Sequence, residues 1–372
     1  MRISILDPSV RLLGGHFTDL DRRLAAHWTA QGHAVTVHGQ KNAIAPLDQL
    51  FTGANASFKR TFTQPPSDWS NPGFDPVERL RLEAALYHQD LLELETADLM
   101  VWPSASASNA MAHALYGLKT PAVLTVFEHP AFNPHNPGFN SKASPGAFAA
   151  SRAYMRLRRQ KVAWGLHVED FMPVWNSVLG PGNIQLLPYP TAGTPRLRKP
   201  SKPLRIGIAG ALRLERHSDL VVPLIQRLLD KGYAVSLQDS LKQVPEFSHD
   251  RLERHGYLQD ITPVIAACDL VVWPAVVERY LCRPSGIVAE SIACGVPLVM
   301  SSACYPAEMA VTQGAAVFFQ RPSLEEVLEA VDLAAAQIGA LREKALHCAK
   351  RWNRKHGLEK LADRILELAG VD

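Results

Sequence analysis

The sequence alternates between short apolar runs and longer amphipathic segments, and this order occurs twice. Near the N-terminus, RISILDP (residues 2–8) precedes FTDLDRRLAAHWTAQ (17–31), whose apolar residues recur at helical spacing, and AVTVHG (34–39) follows. The order restarts with LRIGIAGAL (204–212). Alternating strands and helices build parallel sheets that helices cover on both faces. The sequence therefore predicts an α/β fold of two Rossmann-like, doubly wound domains that face each other across a cleft.

The length of the chain agrees with two domains. The chain has 372 residues, and a single hydrophobic core rarely grows beyond about 250–300 residues. Residues 197–203, LRKPSKP, are rich in proline and charge and are interpreted as a linker. We therefore expect an N-terminal domain over 1–196 and a C-terminal domain over 204–352. Residues 353–372 are predicted as a C-terminal helix that could pack back on the N-terminal domain.

Composition excludes several classes of protein. Hydrophobic residues make up 47% and charged residues 20% of the chain, as in a globular protein. The net charge of +3 suits anionic ligands but does not indicate nucleic acid. We find no signal peptide and no run of 18 apolar residues, and we expect a cytoplasmic protein. The five cysteines fit no zinc spacing and are expected to be reduced.

Two loops of the C-terminal domain could bind a phosphate, because ligands of open parallel sheets bind at the carboxyl ends of strands. In the first, GALRLERH (210–217), Arg213 and Arg216 could form forked hydrogen bonds, or could simply be solvated. In the second, CRPSG (282–286), the backbone N–H groups of Ser285 and Gly286 would begin a helix.

Three further positions complete the candidate site. Glu290 could accept hydrogen bonds from a ribose diol, or could only favour the helix N-terminus electrostatically. Gly14 and Gly15 could let the backbone approach a ligand, or could form an ordinary turn. Glu128 and His129 end a predicted strand and could bind a sugar or transfer a proton, although such a histidine is often only packed.

Some apparent motifs are discounted. GIAGAL lacks the full G-x-G-x-x-G spacing, so a dinucleotide site is weakly supported. Asp19 and Asp21 fall within a predicted helix and are not interpreted as a metal-binding pair.

The ordered segments GALRLERHSDL, HGYLQDITPVIAACDLVVWPA and PSGIVAESIACGVPLVMS resemble the nucleotide-binding domain of GT-B glycosyltransferases, specifically the large retaining group similar to glycosyltransferase family 4. GGHFTDLDRRLAAHWTAQGHAVTV and VWNSVLGPGNIQLLPYP are similar to parts of the first domain of that family. The resemblance implies an acceptor-binding N-terminal domain and a sugar-nucleotide-binding C-terminal domain.

The resemblance also implies roles for single residues. Glu290 matches the glutamate that binds the nucleotide ribose, and Arg216 replaces a lysine that contacts the diphosphate. Gly14 and Gly15 match the loop near the donor phosphate, and His129 lies near a histidine of the family's first domain.

Two positions depart from the family pattern. Cys282 stands where the first glutamate is expected, and Glu278 could substitute for it. Ala211 replaces an arginine, for which Arg213 could serve.

The resemblance implies a glycosyltransferase that moves a sugar from a nucleotide sugar to a glycan or lipid-linked acceptor in polysaccharide synthesis. It implies retention, no cofactor and no obligatory metal. A sugar-nucleotide epimerase and a non-catalytic nucleotide- or glycan-binding homologue are the alternatives. The basic segment SRAYMRLRRQK (151–161) could contact an anionic membrane at its inner face, or could be a solvated helix face.

Overall fold

The computed structural model describes residues 1–11, 13, 16–43, 45–53, 56–63, 75–117, 119–131, 143–196, 198–210, 218–240 and 242–370. The chain divides into two compact units. The first comprises Met1–Tyr189 with Leu358–Asp372, and the second comprises Pro190–Gly357.

The first unit is built on a parallel sheet of seven strands in the order β3-β2-β1-β4-β5-β6-β7. The strands are β1 (Arg2–Leu6), β2 (Ala34–Gln40), β3 (Ser57–Phe62), β4 (Leu99–Trp102), β5 (Ala122–Val126), β6 (Val162–Leu166) and β7 (Ile184–Leu186). The helices are α1 (His16–Ala30), α2 (Leu47–Phe51), α3 (Pro76–Leu92), α4 (Ala107–Tyr116), α5 (Ala143–Leu157) and α6 (Met172–Leu179). Every residue of β4 and β5 is buried, as in a sheet that is covered on both faces.

The second unit repeats this architecture with six parallel strands in the order β10-β9-β8-β11-β12-β13. The strands are β8 (Arg205–Ile208), β9 (Ala234–Gln238), β10 (Leu252–His255), β11 (Leu270–Trp273), β12 (Leu298–Ser301) and β13 (Ala316–Phe319). The helices are α7 (Ser218–Asp230), α8 (Thr262–Ala267), α9 (Gly286–Cys294), α10 (Tyr305–Gln313), α11 (Leu324–Ala336) and α12 (Ile338–Lys355). Two parallel sheets confirm the predicted α/β architecture.

The last helix, α13 (Leu358–Ala369), belongs to the first unit. The indole Nε1 of Trp28 donates to the carbonyl oxygen of Ala362 at 3.3 Å. His27 Nε2 lies 3.1 Å from Asp363 Oδ1. These contacts attach α13 to α1, and buried Leu361 and Ile365 give it an apolar face for that packing.

The boundary between the units precedes the segment that was predicted as a linker. It falls between Tyr189 and Pro190, whereas the prediction placed the linker at 197–203. Fully buried Asp269 explains why the described part of this segment belongs to the second unit: its carboxylate accepts hydrogen bonds from the backbone N–H groups of Ser201 (3.2 Å) and Arg205 (2.9 Å). Arg198 also pairs with Asp269 at 3.0 Å. The prolines and charges of this segment therefore belong to an ordered part of the second unit and not to a free linker.

One predicted helix is wrong in its second half. The sequence pattern favours a helix through 151–166, but α5 ends at Leu157 and β6 begins at Val162. Arg159 has a positive φ of 55°, a conformation that ends a helix. Val162–Leu166 then pairs in parallel with β5. The basic residues therefore lie partly on the last turns of α5 and partly on the loop to β6.

Candidate functional site

The second sheet has a topological switch point between β8 and β11, where the strand order reverses. Ligands of open α/β sheets bind at such a point, beside the carboxyl ends of the strands. Directly after β8, Gly210 has a φ of 93°, which favours glycine. Its N–H donates to buried Gln238 Oε1 at 2.7 Å, which fixes the start of the loop. Arg213 and Arg216, in this same loop, lie outside the described residues, as do Gly14 and Gly15 in the first unit.

Ser285 is the N-cap of α9. Its side chain is buried, and its Oγ accepts a hydrogen bond from the N–H of Val288 at 3.4 Å. Gly286 is the first residue of the helix. The prediction that the backbone of Ser285 and Gly286 binds phosphate stays a prediction, but the helix begins where the sequence indicated.

Glu290 lies in α9 and is only 8% exposed. Its carboxylate accepts hydrogen bonds from the N–H of Ala192, at 3.1 and 3.2 Å to the two oxygens, and from the N–H of Gly193 at 3.0 Å. Glu290 therefore fastens the segment 191–193 to α9. Its carboxylate is thus engaged by the backbone of its own unit, and the predicted contact with a ribose stays a prediction.

The segment held by Glu290 packs very closely on α9. A Cβ atom at Gly193 would lie 2.8 Å from the Cβ of Ala293 and from the N of Cys294. Asn353 Nδ2 donates to the carbonyl oxygens of both Gly193 and Ala293 at 3.0 Å. Because only glycine permits this approach, the position of Glu290's partners depends on Gly193.

Cys282 and Glu278 lie at a turn that follows β11. Cys282 is buried. Glu278 is exposed within the 3₁₀ turn Val277–Arg279 and, among the described residues, forms no hydrogen bond or ion pair. Tyr280 packs edge-on against Trp273 with ring centroids 4.8 Å apart. The structure thus gives no contact that joins Glu278 to Glu290, and a substituting role for Glu278 stays a prediction.

In the first unit, Glu128 and His129 follow β5 and are half-buried. The N–H of Ala131 donates to His129 Nδ1 at 3.2 Å. Because this nitrogen accepts, the proton of the neutral ring must lie on Nε2. Burial lowers the pKa of His129, which favours that neutral form. The carbonyl oxygen of Glu128 accepts from Trp175 Nε1 at 3.1 Å, so this backbone turn is fixed.

Sequence reasoning missed a buried pair of carboxyl groups in the first unit. Asp7 directly follows β1, Asp21 lies in α1, and both are buried. Burial raises the pKa of each, and the charge of Asp7 raises that of Asp21 further. Among the described residues, neither carboxylate oxygen of Asp21 has a hydrogen-bond partner, nor has Asp7 Oδ2, while Asp7 Oδ1 accepts from the N–H of Ser9 at 2.7 Å. The available signal was a carboxylate immediately after a strand whose last four residues are buried, at the switch point between β1 and β4.

Metal-binding clusters and membrane-spanning helices are both absent from the described residues. They contain no group of three or more His, Cys, Asp or Glu side chains that could hold a metal ion. Within the same part of the chain, none of the helices combines the length and the apolar character needed to cross a membrane.

Comparison with known proteins identifies the fold. No known family model matches the chain, and no curated protein matches it in sequence. Sucrose-phosphate synthase from Thermosynechococcus elongatus is 13% identical with a TM-score of 0.67, over 99% of this chain and 98% of that chain. HepE from Anabaena, solved with UDP, is 13% identical with a TM-score of 0.63 over 100% of both chains. The glycosyltransferase SnogD from Streptomyces nogalater is 14% identical with a TM-score of 0.61 over 99% of both. The chain therefore has the GT-B fold of these proteins, as the sequence predicted.

Proposed function

We propose that this protein transfers a sugar from a nucleoside-diphosphate sugar to a glycan or lipid-linked acceptor. The observation that carries the proposal is the full-length likeness to glycosyltransferases, among them HepE, which was solved with UDP and with UDP-glucose. UDP-glucose is accordingly the first donor to test. We place the reaction in polysaccharide synthesis in the cytoplasm.

The donor would bind at the switch point of the second unit. Arg213 and Arg216 follow Gly210 in sequence and would pair with the diphosphate, while Ser285 and Gly286 would offer backbone N–H groups. Glu290 would accept hydrogen bonds from the ribose hydroxyls. As the sugar leaves, negative charge grows on the nucleoside diphosphate, and fixed arginines would stabilise it. Stabilisation by arginines would make a metal unnecessary, and the resemblance to the retaining group implies transfer with retention.

Residues of the first unit would bind the sugar and the acceptor. His129, with its proton on Nε2, would donate a hydrogen bond to a sugar hydroxyl. Glu128 lies beside it and could exchange a proton with an acceptor hydroxyl. Gly14 and Gly15 would approach the donor phosphate. Glu278 is the remaining candidate for the carboxylate that Cys282 replaces.

The test is a thermal-shift panel of UDP, GDP, ADP, CMP and dTDP on the wild type and on Arg216→Ala. A ligand that binds only the folded state raises the free energy of unfolding, by about 2.7 kcal/mol at a hundredfold excess over Kd. The unfolding midpoint rises as a result. We expect one nucleotide to stabilise the wild type and the effect to vanish in Arg216→Ala. Arg227→Ala removes an exposed arginine on α7 of the same unit and is the matched control. If no nucleotide shifts the wild type, the proposal is wrong.

A non-catalytic nucleotide-binding protein is the second candidate. It is favoured by buried Cys282 in place of a glutamate and by the backbone contacts that already engage Glu290. The two functions differ in turnover, so release of UDP from UDP-glucose should be measured with and without glycan acceptors. An enzyme should lose this release in Arg216→Ala. A protein whose midpoint rises with UDP but which releases none with any acceptor is a binding protein.

A further inference from the structure

We propose that the first unit docks on an anionic lipid bilayer through one surface at the C-terminal ends of α4 and α5. This basic–apolar surface consists of Leu115, Tyr154, Arg156, Leu157, Arg159 and Lys161. The proposal concerns where the protein works. It goes beyond the proposed sugar transfer and does not depend on it.

Direct contacts join the two helix ends into one surface. Arg158 Nη1 donates to the carbonyl oxygen of Leu115 at 3.3 Å, and Gln160 Nε2 donates to the carbonyl oxygen of Ala114 at 3.1 Å. The guanidinium carbon of Arg158 lies 5.1 Å from the centre of the Tyr154 ring. The loop after α5 therefore closes the end of α4, which brings the C-terminal ends of the two helices together.

The charge of this part of the chain is strongly one-sided. Helix α5 and the loop after it, residues 143–161, contain five Lys or Arg and no Asp or Glu, in a chain with a net charge of +3. Within the described residues, no carboxylate pairs with Arg156, Arg159 or Lys161. The cations near the end of neighbouring α3 are paired instead: Lys59 with Glu95 at 2.6 Å, and Lys41 with Glu93 at 3.6 Å. Positive charge is thus left unneutralised at α4 and α5, where an anionic partner would neutralise it.

Apolar side chains are exposed among these cations. Leu157 is 80% exposed, Leu115 43% and Tyr154 37%. A solvated helix face has no need of such residues, and a nucleic acid would contact the cations without burying Leu157. A bilayer satisfies both, because its headgroups neutralise basic residues while leucine and tyrosine enter the interface. The combination therefore selects a lipid surface over other polyanions.

The experiment is co-sedimentation of the full chain with vesicles of phosphatidylcholine alone or mixed with phosphatidylglycerol. Each basic residue near an anionic surface contributes about fivefold to binding. Arg156→Glu with Lys161→Glu should therefore weaken binding to the anionic vesicles by at least about 25-fold. Leu157→Ser should weaken it by about tenfold, since it removes one apolar side chain from the interface.

Matched variants elsewhere control for net charge and for surface apolarity. Lys344→Glu with Lys350→Glu makes the same charge change on exposed positions of α12. Leu333→Ser changes a leucine that is 57% exposed on α11. Both controls should bind like the wild type. The proposal is overturned if phosphatidylglycerol has no effect or if the control pair weakens binding equally. It is also overturned if Leu157→Ser binds normally while duplex DNA competes, because the surface would then bind polyanions in general.

Discussion

The carboxyl pair of Asp7 and Asp21 predicts an unusual dependence of stability on pH. A carboxyl group whose pKa is raised in the folded protein stabilises it fully below the unfolded value, near 4, and loses this contribution as pH rises through the folded value. Asn imitates the neutral acid and does not titrate. We expect Asp21→Asn to melt near the wild type at about pH 4 and above it at about pH 8.

The size of that difference follows from the same linkage. A difference of one pKa unit between the folded and unfolded states corresponds to about 1.4 kcal/mol in the free energy of unfolding. In a domain of this size, each kcal/mol shifts the melting temperature by about 2–4 °C. Melting curves of both proteins across this range provide the measurement. Asp250→Asn is the control, since that side chain is 85% exposed. A wild type that is as stable relative to Asp21→Asn at high pH as at low pH would show that burial does not raise the pKa of Asp21.

At the scale of single residues, the sequence indicated which side chains are unusual but not which residues they contact. Glu290 was singled out because a charge among apolar residues is visible in the sequence, and its ribose-binding role stays a prediction. Its partners were not predictable, since Ala192 lies 98 residues away and offers only its backbone N–H. Asp19 and Asp21 were set aside as a metal-binding pair because both fall within a predicted helix, but their surroundings differ. Asp19 pairs with Arg22 at 2.7 Å, whereas Asp21 is fully buried.

The position of the segment 191–193 depends on the absence of a side chain at Gly193. Gly193→Ala would place a Cβ against the backbone of Cys294 and should push the segment away from α9. Overpacking of this kind costs about 1–3 kcal/mol. We expect a lower urea midpoint for Gly193→Ala, together with weaker nucleotide binding, because Glu290 would lose the two N–H donors that orient it.

The control for this element is Gly256→Ala, where an added Cβ meets nothing within 4 Å. It should unfold at the wild-type urea midpoint. An unchanged midpoint in Gly193→Ala would mean that the segment can shift without loss, and that Glu290 does not depend on it for orientation.

Elements were predictable where local pattern and burial agree. Strands such as β1 and β8 are short apolar runs and were found, as was α1 with its helical spacing. The strand β6 was missed because VAWGL follows a basic helical pattern without a proline or glycine between them. Pairing with β5 and β7 selects the extended form there, and a parallel neighbour 40 residues earlier leaves no local mark.

At the scale of the whole molecule, the two units are not simply consecutive in sequence, because α13 belongs to the unit that contains the N-terminus. Ile365 of α13 is 1% exposed and packs within the first unit, although it lies beyond all residues of the second. Ile365→Ala should therefore destabilise the first unit by about 2–5 kcal/mol, the usual cost of truncating a buried isoleucine.

Hydrogen exchange read by mass spectrometry can assign that loss to a unit, since local stability differs across a structure. In Ile365→Ala we expect faster exchange in α1, β5 and β6, which α13 covers, and unchanged exchange in β8 and β11. Leu333→Ala, an exposed position on α11, is the matched control and should change neither set. Faster exchange confined to the second unit would contradict the prediction, because it would mean that α13 stabilises the second unit and not the first. Equal acceleration in both units would mean that they unfold together, so that the C-terminal helix stabilises the chain as a single cooperative unit.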